Sequence, residues 1–353
     1  MLMTGKDYLQ SIRDGRVIYV GKERVKDQTT HPGFAGGAHT YAALFDMKSD
    51  PALRDIMTFE EGGERFSMYY LQPRSQEDLR RRNRAHRRIA DFCFGLMGRT
   101  PDAFAGNLTG LSMKPEVFDS EPGGNSNNVL AIYRHVRRND LFATYAIVPP
   151  QGARNKDYYL SKGLPQPALR VTAEDDRGVT LNGMKMLASS AAYAHEVLVG
   201  NVMPLAPDQL KESITCVIPL NLPGLTLWSR EPFNRPGMHP FDRPLTARFD
   251  ESDCMLVFKN AKGAVGKSHR ARQSGPVSQH LHQDGGARAS QSPVQRPVRL
   301  EASLHARRCE PNHALYGCAR HSGGTRHAGA ARGHGGGLQC HGRRADRGLS
   351  AIR

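Results

Sequence analysis

A chain of 353 residues, 39% of them hydrophobic, is long enough to bury a core in each of two or three domains, and no apolar run in it approaches membrane-spanning length. Its net charge of +15 is concentrated in residues 261–353, which hold 16 Lys or Arg against 4 Asp or Glu, nine of the 15 His, and a single aromatic residue, Tyr316. The six cysteines form no C-x-x-C pair, which argues against a disulfide framework or a structural zinc site, and the N-terminus lacks the apolar stretch of a signal peptide, so the expected compartment is the cytoplasm.

In chain order, the first part reads as helical. Thr4 can cap a short helix through Ile12 that Asp14 and Gly15 end. Ser75 and Asp78 have capping-box spacing, and Leu79, Ala85, Ile89, Phe92, Cys93 and Leu96 make the apolar stripe of a helix stopping at Gly98. Thr100, Pro101 and Asp102 begin a third helix with a cap and an N1 proline. A fourth, after the loop at 123–128, places Val129, Ile132, Tyr133 and Val136 on one face.

The pattern then changes to strands, expected at 142–148, 168–173, 179–181, 196–200, 214–220, 225–228 and 254–258, with a hairpin-type turn at 175–178. No crossover helices of useful length separate them, which favours an antiparallel barrel or sandwich over a parallel sheet. The expected class is α+β: a helical domain at 1–140, a β-barrel domain at 141–260, and a tail at 261–353. The tail holds too few large apolar residues to offset the entropy of ordering, so it is expected to be disordered.

Several stretches, in order over residues 3–260, resemble the two-component flavin-dependent aromatic hydroxylases typified by 4-hydroxyphenylacetate 3-hydroxylase. They are Thr4-Gly-Lys-Asp-Tyr-Leu-Gln-Ser-Ile-Arg-Asp-Gly-Arg16, Glu23-Arg-Val-Lys-Asp27 with Thr30-His-Pro32, Ala43-Leu-Phe-Asp46, Gly95-Leu-Met-Gly-Arg-Thr-Pro-Asp102, Pro149-Pro-Gln151, Gly183-Met-Lys-Met-Leu-Ala-Ser189 and Phe241-Asp-Arg-Pro-Leu245. The resemblance implies an acyl-CoA dehydrogenase-like fold. It also implies FAD, reduced by a separate flavin reductase, reacting with O2 to a C4a-hydroperoxide that hydroxylates a phenol ortho to its hydroxyl. Such chemistry needs a dry pocket. Homo-oligomers are expected of intact members.

The same resemblance assigns site residues. Arg99, in the Gly-Arg-Thr-Pro-Asp turn, suits a substrate carboxylate or phenolate, whereas spacing alone favours an ordinary salt bridge near a helix start. Ala103 and Tyr145 stand where some members carry a pocket Tyr and a pocket His. Tyr145 is read either as a hydroxyl donor or as a strand tyrosine with its ring in the core. Gln151, Arg154 and Ser189 match segments that approach the flavin, and each also suits a solvated loop position. A related branch that dehydrates hydroxybutyryl-CoA holds an iron-sulfur cluster partly through a Cys-x-x-x-Cys pair near this turn. Cys93 stands alone here, which disfavours that chemistry, and no metal site is expected.

Residues 261–268, Ala-Lys-Gly-Ala-Val-Gly-Lys-Ser, look like a phosphate-binding loop, but breakers soon after Ser268 deny it the helix that such a loop needs. Members of the resembled family continue here with Pro-Trp-Glu-Arg-Val and a helical domain. Degenerate codons for residues 263–272, read one base later, admit Val-Pro-Trp-Glu-Arg-Val, and residues 291–304, shifted alike, admit Asn-His-Gln and then Arg-Phe-Val-Trp-Lys-Leu. A reading frame lost near Asn260, by natural mutation or sequencing error, accounts for the composition of the tail. Nucleic-acid binding through its basic residues is the competing reading. With the C-terminal helical domain replaced by such a tail, weak FAD retention and little activity are expected.

Overall fold

The computed structural model describes residues 2–264 apart from 120–124, 165, 176–177, 203–204, 206–208, 236 and 240. It opens with α1 (Gly5–Ser11), where Thr4 Oγ1 accepts from Asp7 N at 3.2 Å and the Asp7 carboxylate accepts from Thr4 N at 3.0 Å, so two otherwise unpaired amides are satisfied together. Two short strands follow, β1 (Val17–Val20) and β2 (Glu23–Val25), then α2 (Ala35–Asp46), α3 (Arg54–Met57) and the hairpin of β3 (Thr58–Glu61) and β4 (Glu64–Ser67). Next come α4 (Gln76–Phe92), α5 (Pro101–Met113) and α6 (Ser126–Arg138). Ser75 and Asp78 form the expected capping box of α4, and Val129, Tyr133 and Val136 form the buried stripe of α6.

Two local expectations differ from the structure. The helix α4 ends at Phe92 rather than near Gly98, because Phe94 and Gly95 take left-handed φ angles of 52° and 69°, and Leu96 is left exposed beyond the helix. Thr100 precedes α5 but makes no side-chain cap bond to it; its hydroxyl donates to the Asp102 carboxylate instead.

All seven expected strand regions form: β5 (Ala143–Ala146), then, after the short α7 (Lys156–Ser161), β6 (Arg170–Asp175), β7 (Gly178–Ser189), β8 (Glu196–Val199), β9 (Cys216–Pro219), β10 (Leu225–Ser229) and β11 (Asp253–Ala264). Their arrangement corrects the expected antiparallel β-barrel. Among the described residues they join β1 and β2 to make an open six-stranded sheet, β2-β1-β10-β11-β7-β6, and a separate three-stranded sheet, β5-β8-β9. Both are mixed: β1 runs parallel to β10, with Ile18 opposite Leu227, and β5 runs parallel to β8, with Tyr145 opposite Leu198. A barrel would need the two edges of the large sheet to pair. Edge strand β2 instead exposes Glu23 and Arg24, and edge strand β6 exposes Glu174 and Asp175, charges that disfavour further strand pairing.

The first four residues of the loop-like octet are the end of β11. Ala261, Lys262, Gly263 and Ala264 pair with Leu181, Thr180, Val179 and Gly178 of β7. Residues 265–268 and the tail beyond them lie outside the described residues, and with them the expected disorder.

One apolar core runs through helices and sheets. Tyr8 of α1 stacks on Phe45 of α2 with centroids 4.5 Å apart, and its hydroxyl donates to the Tyr193 carbonyl at 2.8 Å. The Arg16 guanidinium, almost fully buried, donates to the carbonyls of Ala191 (3.2 Å) and Ala194 (2.5 Å) while paired with Asp14 at 2.7 Å. Glycine allows α2 to close on the chain before β11, since a Cβ on Gly36 would stand 1.9 Å from the Ala247 carbonyl oxygen. The N-terminal elements thus hold the segment after β7 from behind. Among the described residues no helix is long and apolar enough to cross a membrane.

Candidate active site

Arg99 sits in the turn between α4 and α5. Its main-chain N–H donates to Glu251 Oε1 at 2.9 Å, as does that of Gly98, and its carbonyl accepts from Ser190 Oγ at 3.0 Å. The side chain leaves the turn with its guanidinium carbon 5.0 Å from the centroid of the Tyr145 ring, within cation–π range. Its Nη1 donates to the Gly98 carbonyl at 3.1 Å, and among the described residues no carboxylate forms an ion pair with it. A planar cation with open N–H edges, laid on an aromatic ring, is suited to an anion of matching geometry. The ordinary salt bridge that spacing favoured for Arg99 is not formed within the described residues.

The other candidates converge through the backbone. Tyr145, half-buried on β5, follows Thr144, whose hydroxyl donates to the Ser189 carbonyl at 2.7 Å. A bridge between Val148 and Met186, with Met186 N donating to Val148 O at 2.9 Å, lays the chain leading to Gln151 beside the end of β7. The Ser189 hydroxyl donates to Asp253, which lies 3.6 Å from Arg230 Nε. Beside it Leu187 is 54% exposed at a φ of 59°, a left-handed conformation uncommon for a bulky residue.

Gln151 is exposed at the start of a 3-10 turn, Gln151–Arg154, and the side chain of Arg154 lies outside the described residues. Ala103 is buried in the first turn of α5. The structure therefore joins Arg99 to Tyr145 by direct contact, and Ser189 to both through neighbouring main chain. Gln151 is near them only through its chain connection.

Sequence reasoning passed over the residues that support this group. Asp102, fully buried, receives Thr100 Oγ1 and lies 2.5 Å from His86 Nδ1, tying the start of α5 to α4. Glu251 accepts the two amides of the Arg99 turn, and burial pushes its carboxyl above the usual range against the opposing pull of those amides and the Arg99 charge. The only local signal was Asp102 inside the quoted motif; Glu251-Ser-Asp253 reads simply as a polar run before a strand. An apolar cavity of about 50 Å3 between α5, α6, β8 and β9, lined by Phe104, Val129 and Cys216 among others, includes none of the candidate residues.

The sequence pattern of the family described as 4-hydroxyphenylacetate 3-hydroxylase N terminal matches residues 4–262. The chain is 35% identical over 262 residues to the 4-hydroxyphenylacetate 3-monooxygenase oxygenase component of Thermus thermophilus, covering 73% of this chain and 52% of that protein. It is 32% identical over 272 residues to the oxygenase component of 4-nitrophenol 4-monooxygenase/4-nitrocatechol 2-monooxygenase of Rhodococcus opacus, covering 73% of this chain and 50% of that one. The chain thus spans about half the length of the curated relatives it matches.

Among solved structures, it is similar to the oxygenase component of 4-hydroxyphenylacetate 3-monooxygenase complexed with FAD, at a TM-score of 0.69 and 32% identity over 77% of this chain and 56% of that one. The same component complexed with FAD and 4-hydroxyphenylacetate gives 0.73 at 28% identity, over 87% and 61%. An archaeal 4-hydroxybutyryl-CoA dehydratase, at 0.63 and 18% over 77% and 55%, shares the fold.

Proposed function

We propose, from the premise that this chain belongs to the 4-hydroxyphenylacetate 3-hydroxylase N-terminal family, that it carries the helical and sheet regions of an FADH2-dependent aromatic monooxygenase. Its substrate is a phenol bearing an anionic group, of the 4-hydroxyphenylacetate kind, hydroxylated ortho to the phenolic oxygen. The observation that carries this reading is the Arg99 guanidinium stacked on Tyr145 with its outer N–H groups uncommitted among the described residues.

Arg99 binds the carboxylate or the phenolate through those N–H groups, and Tyr145 supplies the ring that keeps the guanidinium oriented. The Tyr145 hydroxyl serves as a proton donor to an oxygen held near Arg99. Ala103, small and buried, sets the volume on the α5 side, where a larger side chain would select a smaller phenol.

The residues present fit a flavin. The Ser189 proton is taken by Asp253, so its lone pairs remain to accept from a ring N–H, and the exposed Leu187 beside it offers an apolar surface for a flat ring. Gln151 offers an amide, and Arg154 a charge for the pyrophosphate. Reduced FAD, when bound, supplies the electrons that activate O2. A separate flavin reductase provides it, the cytoplasm is the proposed compartment, and intact assemblies are homo-oligomeric. Equilibrium dialysis tests the substrate reading: 4-hydroxyphenylacetate should bind the wild-type chain more tightly than its uncharged alcohol analogue, and Arg99→Ala should abolish the difference. Equal binding of the two would overturn it.

The family match stops at residue 262, close to the proposed loss of frame near Asn260. The gene sequence across the Asn260 codon tests that proposal; a frame running unshifted from the family region into the tail in independent isolates would sink it. With the frame lost, FAD should dialyse away readily and hydroxylation should be slow.

A further inference from the structure

We propose that Glu251 is a positioning residue for Arg99, holding its turn in place against the Ser189–Ser190 segment so that the guanidinium meets Tyr145. The proposal rests on the reading above for what Arg99 binds, but the positioning itself stands on geometry alone.

Three segments distant in sequence meet at Glu251. Its side chain accepts from the amides of Gly98 and Arg99, the latter at 2.9 Å, while its main-chain carbonyl accepts from Ser190 N at 3.0 Å. Ser190, itself at a φ of 65°, sends its hydroxyl to the Arg99 carbonyl at 3.0 Å, and Tyr41 Oη backs that contact at 2.5 Å from Ser190 Oγ and 3.3 Å from the same carbonyl. The Arg99 residue is thus held at both its N–H and its C=O, and the ring of contacts closes through Glu251.

The turn needs such a partner. Phe94 and Gly95 reverse the chain after α4, and Gly98 is exposed, so the amides at 98 and 99 lie beyond one helix and before the next. A side-chain oxygen carries two lone pairs, so Glu251 Oε1 accepts from both adjacent N–H groups at once. Besides Arg99, the charged and titratable groups acting on Glu251 include Asp253 and Tyr41, and neither replaces it at these amides. Because the main-chain carbonyl of Glu251 is itself bonded to Ser190 N, its side chain ties the turn that bears Arg99 to backbone already fixed beside Ser189, and removing the side chain frees the turn while leaving that backbone bond in place.

The experiment compares the full chain with Glu251→Gln and Glu251→Ala by hydrogen exchange at single-amide resolution. Amides 98 and 99 should exchange at least about tenfold faster in the alanine variant, and close to the wild-type rate in the glutamine variant, which keeps an acceptor oxygen. The β7–β11 amides should not change in either. Binding of 4-hydroxyphenylacetate should weaken roughly tenfold in Glu251→Ala, recover in Glu251→Gln, and show no further loss when Glu251→Ala is added to Arg99→Ala. Unchanged exchange at 98 and 99 in Glu251→Ala overturns the proposal, as does an additive double variant. Should the alanine variant unfold, rapid exchange at 98 and 99 in the folded glutamine variant overturns it and wild-type protection there supports it. If no chain binds the phenol, the substrate reading fails while the exchange data still decide the role of Glu251.

Discussion

The guanidinium of Arg99 lies 5.0 Å from the centre of the Tyr145 ring, although the two residues come from a turn between helices and from a strand. Lysine in place of Arg99 keeps the charge but loses the planar fork. Arg99→Lys is therefore expected to weaken 4-hydroxyphenylacetate binding by about tenfold or more, the loss of one charge-assisted hydrogen bond. Tyr145→Ala should weaken binding as well, whereas Tyr145→Phe keeps the stacking ring. Calorimetric titration of the three variants checks this ordering.

His195 predicts acid sensitivity. Its Nδ1 accepts from Phe142 N at 2.9 Å and its Nε2 meets Ser11 Oγ at 2.8 Å, and burial, reinforced by the Arg16 charge, pushes it down to about 3 from 6.5. Below pH 6.5 the unfolded chain takes up a proton that the folded chain refuses until about pH 3, so stability falls as pH falls through that window. The loss approaches about 1.4 kcal/mol per pH unit. Denaturant melts from pH 7 to 4 should show this slope in the wild type and a shallower one in His195→Gln.

Lys185 predicts the opposite flank. Its Nζ donates to Gly200 O at 2.5 Å and Asn201 Oδ1 at 2.8 Å, and burial lowers it to about 8. Between pH 8 and its ordinary 10.5 the unfolded chain holds the proton more tightly, so the contribution of Lys185 to stability rises with pH across that interval, against the fall that the buried Cys216 and Cys254 thiols, pushed up to about 12 from 9, impose above pH 9. The difference in stability between wild type and Lys185→Met, taken from thermal melts at each pH, should grow in favour of the wild type from pH 8 to 10.5.

Gly36→Ala tests the approach of α2 to residues 247–250. The added methyl would fall 1.9 Å from a backbone oxygen, which cannot rotate away as a side chain can. A loss of about 3 kcal/mol or more is expected, at the upper end of overpacking penalties, even though alanine favours helices. An unchanged midpoint in chemical denaturation would contradict the close packing.

The helices with a punctuated start were legible because capping is local: Thr4 with Asp7, and Ser75 with Asp78, form the bonds that their spacing allows. The helix α2 was passed over because no side chain caps it at Phe34, and its Ala- and Gly-rich sequence is buried on several sides rather than along one stripe. Strand positions were legible from β-branched runs, but their partners were not. Val17–Val20 lies close behind a helix and still enters the large sheet beside a strand more than 200 residues away. That parallel contact, with the charged edges at β2 and β6, is why the sheet stays open where a closed barrel was expected.

By itself the sequence determined the family, the α+β class, and the turn and strand that bear Arg99 and Tyr145, because ordered motifs and local periodicity survive without any knowledge of contacts. Tertiary structure alone decided that Arg99 rests on Tyr145 and that Glu251, Ser190 and Tyr41 hold its peptide. Hydrogen bonds spanning 58 to 152 residues leave no periodic trace in a sequence. An acceptor such as Glu251 becomes visible only when two unpaired amides are brought to it.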